Sequence, residues 1–325
     1  MNSQSALEAW LTEQCQLTDY HVYPLLTDAS FRRYFRVQHA AGSYVAMDAS
    51  IEKQSCIPFT LLAKELRKQG LQAPEVIASD FAKGFLLLTD FGDRSYLKEL
   101  KQHNADALYL RALDALAVLQ SCGPVGDGII TSFTAEFMYN ELMLFKEWFL
   151  EKHLALTLSA QTHKMCATFF DFLAKSAASQ PQVFMHRDYH SANLMILPDD
   201  KVGILDFQDA FIGPITYDVV SLLRDCYIAW PEKKAVEWVT YYWKKLTLEA
   251  VSAEDFLRWF DLMGMQRHLK CLLTFARKYH RDHNANYLQH IPRTLNYILT
   301  VSQRYPESVA FNLFLRERVM EKCVE

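Results

Sequence analysis

A short polar segment between two apolar stretches is the feature of this sequence that most restricts its possible folds. Residues 186–193 place an aspartate five positions before an asparagine, and residues 183–185 and 194–197 on either side have the composition of short strands. A third short strand is predicted over residues 202–205 and leads directly into Asp206. A loop this dense in groups that bind protons and metals is expected to carry chemistry.

The residue types in this segment are those that phosphoryl transfer requires. A carboxylate orients and deprotonates the attacking hydroxyl, and oxygen ligands hold Mg²⁺ against the phosphates of a nucleotide. Asp188 suits the first role, and Asn193 and Asp206 suit the second. Each alone would more often be a loop cap, a turn residue or a solvated acid. The order H-R-D-x-x-x-x-N followed by D-F is that of kinases, so we predict an enzyme that uses ATP and Mg²⁺.

The composition and length exclude several classes of protein. Half of the 325 residues are hydrophobic and 22% are charged, which excludes a disordered or fibrous chain. The length predicts two lobes. A formal charge of -4 gives no general field that would attract phosphate backbones, so we do not expect a nucleic-acid partner.

The cysteines and the N-terminal residues indicate in which compartment of the cell the protein is expected. Seven scattered cysteines with no C-x-x-C pair predict reduced thiols and no zinc site. Residues 1–10 lack a basic segment followed by an apolar run, and nowhere do about 18 uncharged apolar residues follow one another. We therefore expect a cytoplasmic protein without a membrane partner, and we expect a monomer.

Apolar periodicity predicts an α+β protein with a small first lobe over residues 1–90 and a larger helical lobe over residues 91–325. The boundary is placed where F-G-D at 91–93 interrupts the pattern. The first lobe is predicted to contain a helix at 5–15, a hairpin at 31–37 and 43–47, a helix at 57–69, and strands at 76–78 and 84–89. The second is predicted to begin with long helices at 105–120, 133–152 and 162–175.

Residues 183–227 resemble the aminoglycoside phosphotransferase and choline kinase branch of the protein-kinase-like fold. The runs D-F-Q-D-A at 206–210, G-P-x-x-Y-D at 213–218 and S-L-L-R-D at 221–225 resemble more narrowly the bacterial anomeric kinases of cell-wall recycling. Stretches at 28–35, 85–88, 139–142 and 264–270 extend the likeness over nearly the whole chain. The resemblance implies a bilobal fold and ATP-dependent phosphorylation of the C1 hydroxyl of N-acetylmuramate, N-acetylglucosamine or both.

The nucleotide-binding residues depart from the general kinase pattern. Residues 27–33 replace a glycine-rich loop, so the phosphates are expected to meet backbone N–H groups and side chains of a hairpin turn. The strand at 44–48 has no lysine to bind the phosphates, and Arg32, Arg33 or Lys53 is predicted to take that role. For each of the three, a position on a solvated face or in a cross-strand pair is an equally good interpretation. Resemblance to the kinase lobe connector adds two further positions. The predicted nucleotide-binding residues are Ser30, Phe31, Arg32, Arg33, Lys53, Leu88 and Asp90.

The acceptor site is predicted from residues that follow Asp206. Gln208, Asp209 and Arg224 are close enough in sequence to border it, and an arginine would suit a carboxylate such as the lactyl group of N-acetylmuramate. Asp218 and Asp225 are interpreted instead as helix caps or structural partners of arginines. On the long helices further along the chain, packing or solvation is the favoured interpretation of Trp148, Arg267, His268 and Arg277.

Two alternatives stay open. An aminoglycoside, choline or another amino alcohol would need an acidic or aromatic pocket for its positive charge, whereas the candidate arginine favours a neutral or anionic acceptor. The missing strand lysine also permits a nucleotide-binding scaffold without activity, but the intact Asp188, Asn193 and Asp206 argue against it.

The segment at 206–208 predicts how rigid the metal site is. Because D-F-Q replaces D-F-G there, the flexible glycine is missing, and we expect a constitutively formed metal site.

Overall fold

A five-stranded antiparallel sheet forms the first part of the chain. The computed structural model describes residues 3–25, 31–40, 42–123 and 126–324. The strands lie in the order β1-β2-β3-β5-β4, with helix α1 before the sheet and α2 after its third strand. These elements are α1 (Ser3–Glu13), β1 (His21–Leu25), β2 (Arg33–His39), β3 (Gly42–Asp48), α2 (Cys56–Lys68), β4 (Val76–Asp80) and β5 (Phe85–Thr89).

The interior strand β5 is covered on both faces. Its residues alternate between the two sides of the sheet, as side chains along a strand must. Phe85 and Leu87 pack in a cluster with Trp10 of α1, whereas Leu86 and Leu88 lie in the larger core that also contains α2. The apolar run of β5 is therefore explained by two helices, one against each face.

Helices dominate the rest of the described chain, and two small sheets interrupt them. The helices are α3 (Tyr96–Glu99), α4 (Ala105–Gln120), α5 (Gly126–Ile129), α6 (Ala135–Phe145), α7 (Ala160–Ala178), α8 (Tyr217–Leu223), α9 (Glu232–Lys245), α10 (Ala253–Asp282), α11 (Ile291–Ser302), α12 (Val309–Phe314) and α13 (Met320–Val324). The strands are β6 (Thr131–Ser132), β7 (Gln182–Met185), β8 (Leu194–Ile196), β9 (Val202–Ile204) and β10 (Phe211–Pro214). β8 and β9 form a hairpin, and β10 lies between β6 and β7.

The helical part is built around the 30-residue helix α10. Its N-terminus is capped by the Ser252 side chain, which accepts a hydrogen bond from the backbone N–H of Asp255, and His283 ends it in a left-handed conformation. The helices α6, α7, α8, α9 and α11 all pack against it. Residues along one side of α10 consequently meet the loops that carry the candidate site.

The predicted fold class is confirmed, with an antiparallel sheet first and helices after it. The helix at 105–120 has the predicted bounds, but the predicted helix at 133–152 is wrong in detail. It begins later, at Ala135 after the Thr134 cap, and continues from Lys146 to His153 with π-helical hydrogen bonds.

Buried residues of both parts share one core, since Phe59 of α2 contacts Phe207 with ring centroids 4.9 Å apart. The boundary near residue 90 remains a prediction. No helix among the described residues is long and apolar enough to cross a membrane.

Candidate active site

Residues 186–193, called here the Asp188 loop, connect β7 to β8. The His186 side chain is fully buried at the start of this loop. Its Nε2 lies 2.9 Å from the carbonyl oxygen of Leu205, and its Nδ1 accepts the backbone N–H of Asp188 at 3.3 Å. Burial lowers the pKa of His186 to about 4, so the ring is neutral and donates from Nε2. The imidazole thereby fixes the backbone of Asp188 to the strand end that leads to Asp206.

Two buried carboxylates hold the Asp188 loop from the side of α8. Asp218 accepts the backbone N–H groups of His186 at 2.7 Å and Arg187 at 2.9 Å. Arg187 has a φ of 77°, a conformation that costs free energy unless its surroundings enforce it. Asp225, just after α8, accepts both the backbone N–H and the hydroxyl of Ser191, at 3.0 and 2.5 Å. The loop geometry is thus imposed by residues more than 30 positions away in sequence.

Replacing Asp218 by Asn is expected to lower both stability and turnover. An amide offers one oxygen to two N–H groups, and its own NH₂ group would face His186 or Arg187. We expect a loss of about 1–3 kcal/mol in the free energy of unfolding, and a fall in kcat of about 10²-fold from misplacement of the loop. Thermal unfolding and steady-state kinetics provide the two readouts. Asp171→Asn, which removes an exposed pair with Lys175, is the control and should change stability by less than about 0.5 kcal/mol.

Asp188, Asn193 and Asp206 converge at the end of the β8–β9 hairpin. The Asn193 Nδ2 donates to the backbone carbonyl of Asp188 at 3.0 Å and to Oδ2 of Asp206 at 3.3 Å. Asp206 has a φ of 62°, which turns the chain sharply after β9, and its side chain is exposed. Because both amide hydrogens of Asn193 have acceptors, its oxygen is left to serve as a ligand.

The donor set of Asn193 and Asp206 fits Mg²⁺. Oxygen ligands suit this cation, which is commonly held by one or two protein groups together with substrate phosphates. Partial removal from water raises the pKa of Asp206, the charges of Asp188 and Asp209 raise it further, and a hydrogen bond from Gln208 opposes them. A cation bound here would stabilise the ionised form. No group of three or more His, Cys, Asp or Glu side chains suited to a metal occurs in the part of the chain described.

Asp188 lies in a strongly positive environment. Removal from water acts to raise its pKa, but the charges of Lys270, His190, Arg267 and Arg187 outweigh this and hold the pKa of Asp188 well below its usual range. The Nζ of Lys270, from α10, is 3.6 Å from Oδ1 of Asp188. Asp188 is therefore an ionised carboxylate at neutral pH, ready to accept a hydrogen bond or a proton.

The predicted nucleotide-binding turn lies only partly within the described residues. Ser30 is outside them. Phe31 is 63% exposed, and the Nε of Arg32 donates to the hydroxyl of Ser55 at 3.3 Å. Burial raises the pKa of Tyr34 to about 12, and the charges of both Arg32 and Asp206 act on it.

The lysine-free strand carries a buried aspartate in place of the lysine. Asp48, at the end of β3, is paired with Arg33 across the β2–β3 register, with 2.5 Å between the guanidinium and the carboxylate. This is the cross-strand pair that the sequence left open as an alternative to a phosphate contact. The Arg33 side chain is 46% exposed, so one face of the guanidinium remains accessible.

The remaining predicted nucleotide residues lie within β5 or beside the turns at its two ends. Lys53 is exposed, and its Cγ lies near Gly84 in the β4–β5 turn. Leu88 is buried in β5. Asp90 uses its carboxylate within the protein, because it accepts hydrogen bonds from Arg36, Ser43 and the backbone N–H of Gly92. Asp90 therefore shapes the turn after β5, which leaves only its main chain for a nucleotide.

Of the three predicted acceptor residues, two lie next to the metal ligand and one does not face solvent. Gln208 donates to Oδ1 of Asp206, and Asp209 is exposed beside it. Arg224 is 1% exposed and paired with Asp261 at 2.6 Å, with its guanidinium 4.3 Å from the centre of the Phe260 ring. Arg224 consequently packs in the core, so the prediction that it contacts the acceptor is wrong.

Sequence reasoning missed Lys270 and Glu141, which the structure brings to the Asp188 loop. Lys270 pairs with Asp188, and Glu141 of α6 accepts hydrogen bonds from Arg187 at 3.2 Å and from Gln266 at 3.4 Å. The four-residue spacing of Gln266 and Lys270 places them on one face of α10. That spacing is shared by any pair of solvated helix residues, so apart from the resemblance of residues 139–142 and 264–270 nothing in the sequence indicated a role for Lys270 or Glu141.

Comparisons with known proteins agree with this arrangement. The model of the phosphotransferase enzyme family matches residues 21–260. A protein of Pseudomonas aeruginosa described as N-acetylmuramate/N-acetylglucosamine kinase is 43% identical over 87% of this chain and 84% of its own. A protein of Neisseria meningitidis with the same description is 37% identical over 100% of this chain and 98% of its own. The ADP-bound crystal structure of aminoglycoside phosphotransferase APH(2'')-Ib superposes with a TM-score of 0.63 at 15% identity, covering 90% of this chain and 97% of that one, which supports the fold. The chain belongs to the phosphotransferase enzyme family.

Proposed function

We propose that this protein is an ATP- and Mg²⁺-dependent kinase that phosphorylates the anomeric C1 hydroxyl of N-acetylmuramate, N-acetylglucosamine or both, in the recycling of cell-wall sugars. The observation that carries the proposal is the convergence of Asp188, Asn193 and Asp206 on one hairpin end. The two curated relatives, which align over most of this chain, support the choice of acceptor.

The proposed roles follow from the geometry. Asp188 is the group that orients the acceptor hydroxyl and receives its proton at a carboxylate oxygen. Asn193 and Asp206 would hold Mg²⁺, which neutralises developing charge on the nucleotide phosphates when bound. Gln208 positions the Asp206 carboxylate through its hydrogen bond. Arg32 and Arg33, at the start of β2, are proposed to contact the phosphates of ATP.

The charges around Asp188 favour a neutral or anionic acceptor. Lys270 lies 3.6 Å from the carboxylate that would receive the proton, and the charges of Arg267 and Arg187 also lower the pKa of that carboxylate. A choline or aminoglycoside ammonium group placed against these residues would be repelled. We therefore prefer an amino sugar without a free amine over these two acceptors. A scaffold without activity is disfavoured because the proposed base and both metal ligands are present and in contact.

A screen of acceptors tests the proposal. Purified protein with ATP and Mg²⁺ is offered N-acetylmuramate, N-acetylglucosamine, choline and kanamycin in separate reactions, and formation of ADP is followed. We expect ADP only with the two N-acetylated sugars. ADP formation confined to choline or kanamycin would contradict the proposed acceptor. If no acceptor led to ADP formation, the scaffold without activity would be favoured.

We propose a cytoplasmic location, where ATP is available, and a monomer.

A further inference from the structure

A line of polar side chains on α10 leads away from Asp188. Gln266, Lys270 and Arg277 are separated by four and seven residues, so they share one face of the helix. Lys270 contacts Asp188, and Gln266 contacts Glu141 of α6. Seven residues of helix place the Arg277 backbone about 10 Å beyond that of Lys270. An acceptor whose hydroxyl is at Asp188 would therefore extend along this face toward Arg277.

Arg277 has no counter-ion among the residues that the structure describes. Its Nε is buried without a hydrogen-bond partner, and within the described residues its guanidinium forms no ion pair. Partial burial and the neighbouring charge of Arg281 lower the pKa of Arg277, while Asp282 and Glu141 act in the opposite direction. A partly buried guanidinium is costly to leave unpaired, because its donors have lost water without gaining acceptors.

The nearest carboxylate on α6 is already engaged. Both oxygens of Glu141 accept hydrogen bonds, one from the Arg187 NH₂ group and the other from Gln266. Each oxygen of Glu141 therefore already has a donor, and the carboxylate of a bound acceptor would satisfy the spare donor of Arg277.

We propose that Arg277 forms a subsite for the carboxylate of an anionic acceptor, beyond Lys270 on the same face of α10. The subsite rests on the proposed function, in which one of the two acceptors, N-acetylmuramate, carries a lactyl carboxylate and the other, N-acetylglucosamine, does not. A guanidinium binds a carboxylate through two parallel hydrogen bonds, which makes Arg277 a residue that selects between these sugars. It takes the role that the sequence had suggested for Arg224, which is buried and has Asp261 as its counter-ion.

The test compares kcat/KM for N-acetylmuramate with kcat/KM for N-acetylglucosamine. Arg277→Gln removes the charge but keeps a polar side chain, and kcat/KM is measured for both sugars. The ratio for N-acetylmuramate over N-acetylglucosamine is expected to fall about 10- to 100-fold, with partial recovery in Arg277→Lys. Arg281→Gln is the matched control, four residues further along α10, because Arg281 is exposed and paired with Asp282. Its ratio should match that of the wild type.

A second readout does not depend on turnover. Titration calorimetry in the presence of ADP and Mg²⁺ measures N-acetylmuramate binding, which Arg277→Gln should weaken about 10- to 100-fold. An unchanged ratio, or an equal fall of kcat/KM for both sugars, would overturn the subsite and leave the proposed function standing. Failure of the wild type to phosphorylate either sugar would overturn the proposed function and the subsite together.

Discussion

The variant Asp188→Asn is expected to lose about 10²- to 10⁴-fold in kcat, because an amide cannot receive the proton of the acceptor hydroxyl. Asparagine has nearly the same shape, and Asn193 contacts the backbone carbonyl of residue 188 rather than its side chain. The neighbouring metal ligands should therefore stay in place. The affinity for ATP in the presence of Mg²⁺ should change little.

Steady-state kinetics with N-acetylglucosamine and calorimetric titration with ADP and Mg²⁺ separate these two effects. Asp114→Asn is a suitable control because Asp114 lies at the surface, paired with Lys245. It should retain wild-type kcat. A kcat for Asp188→Asn within about fivefold of the wild type would contradict the assignment of Asp188 as the base, since general base catalysis contributes at least about 10²-fold.

The variant Asp206→Ala is expected to lose the dependence of nucleotide binding on Mg²⁺. Asp206 is the only anionic group in the proposed metal-binding pair, since Asn193 is neutral. Its removal should weaken ADP binding in the presence of Mg²⁺ by about 10- to 100-fold. Binding measured with EDTA should change far less, because contacts between the nucleotide and the sheet remain.

Calorimetric titration of ADP at a series of Mg²⁺ concentrations provides this measurement. Asp209→Asn is the comparison, since Asp209 is an exposed carboxylate three residues further along the same segment. We expect it to keep the Mg²⁺ dependence. If Asp206→Ala and the wild type show the same Mg²⁺ dependence, the metal is held elsewhere and the proposed site is wrong.

The sequence predicted the region around Asp188 more accurately than the edges of the fold. The three short strands that bracket the site were found within one residue at each end, because turns and polar residues end them abruptly. Strand β1 was missed. It contains Pro24 and is mostly exposed, which argues against a central strand. In the structure β1 is the edge of the sheet, where a proline is tolerated.

The backbone positions of the site were predictable, but the partners of its side chains were not. The motif places Asp188, Asn193 and Asp206 within 19 residues, so a hairpin alone can bring them together. Arg224 instead pairs with Asp261, 37 residues away, and Asp188 pairs with Lys270 of α10. Such pairs depend on how α10 packs against α8 and α6, which periodicity within one helix does not reveal.

The role of Lys270 shows the same limit. Its stretch of sequence entered only through resemblance, and an isolated lysine on a long helix is most often solvated. The structure makes it 15% exposed and directs it to the proposed base. The helix α10 therefore contributes both to the charge around Asp188 and, through Arg277, to the proposed choice of acceptor.

The position of the phosphoryl group on the product tests the central proposal most directly. Phosphorus NMR of the N-acetylglucosamine reaction should show a sugar 1-phosphate, with coupling between phosphorus and the hydrogen on C1. The methyl glycoside of N-acetylglucosamine, which has no free anomeric hydroxyl, should give no phosphorylated product. Phosphorylation of that glycoside, or a product carrying phosphate at C6, would contradict an anomeric kinase.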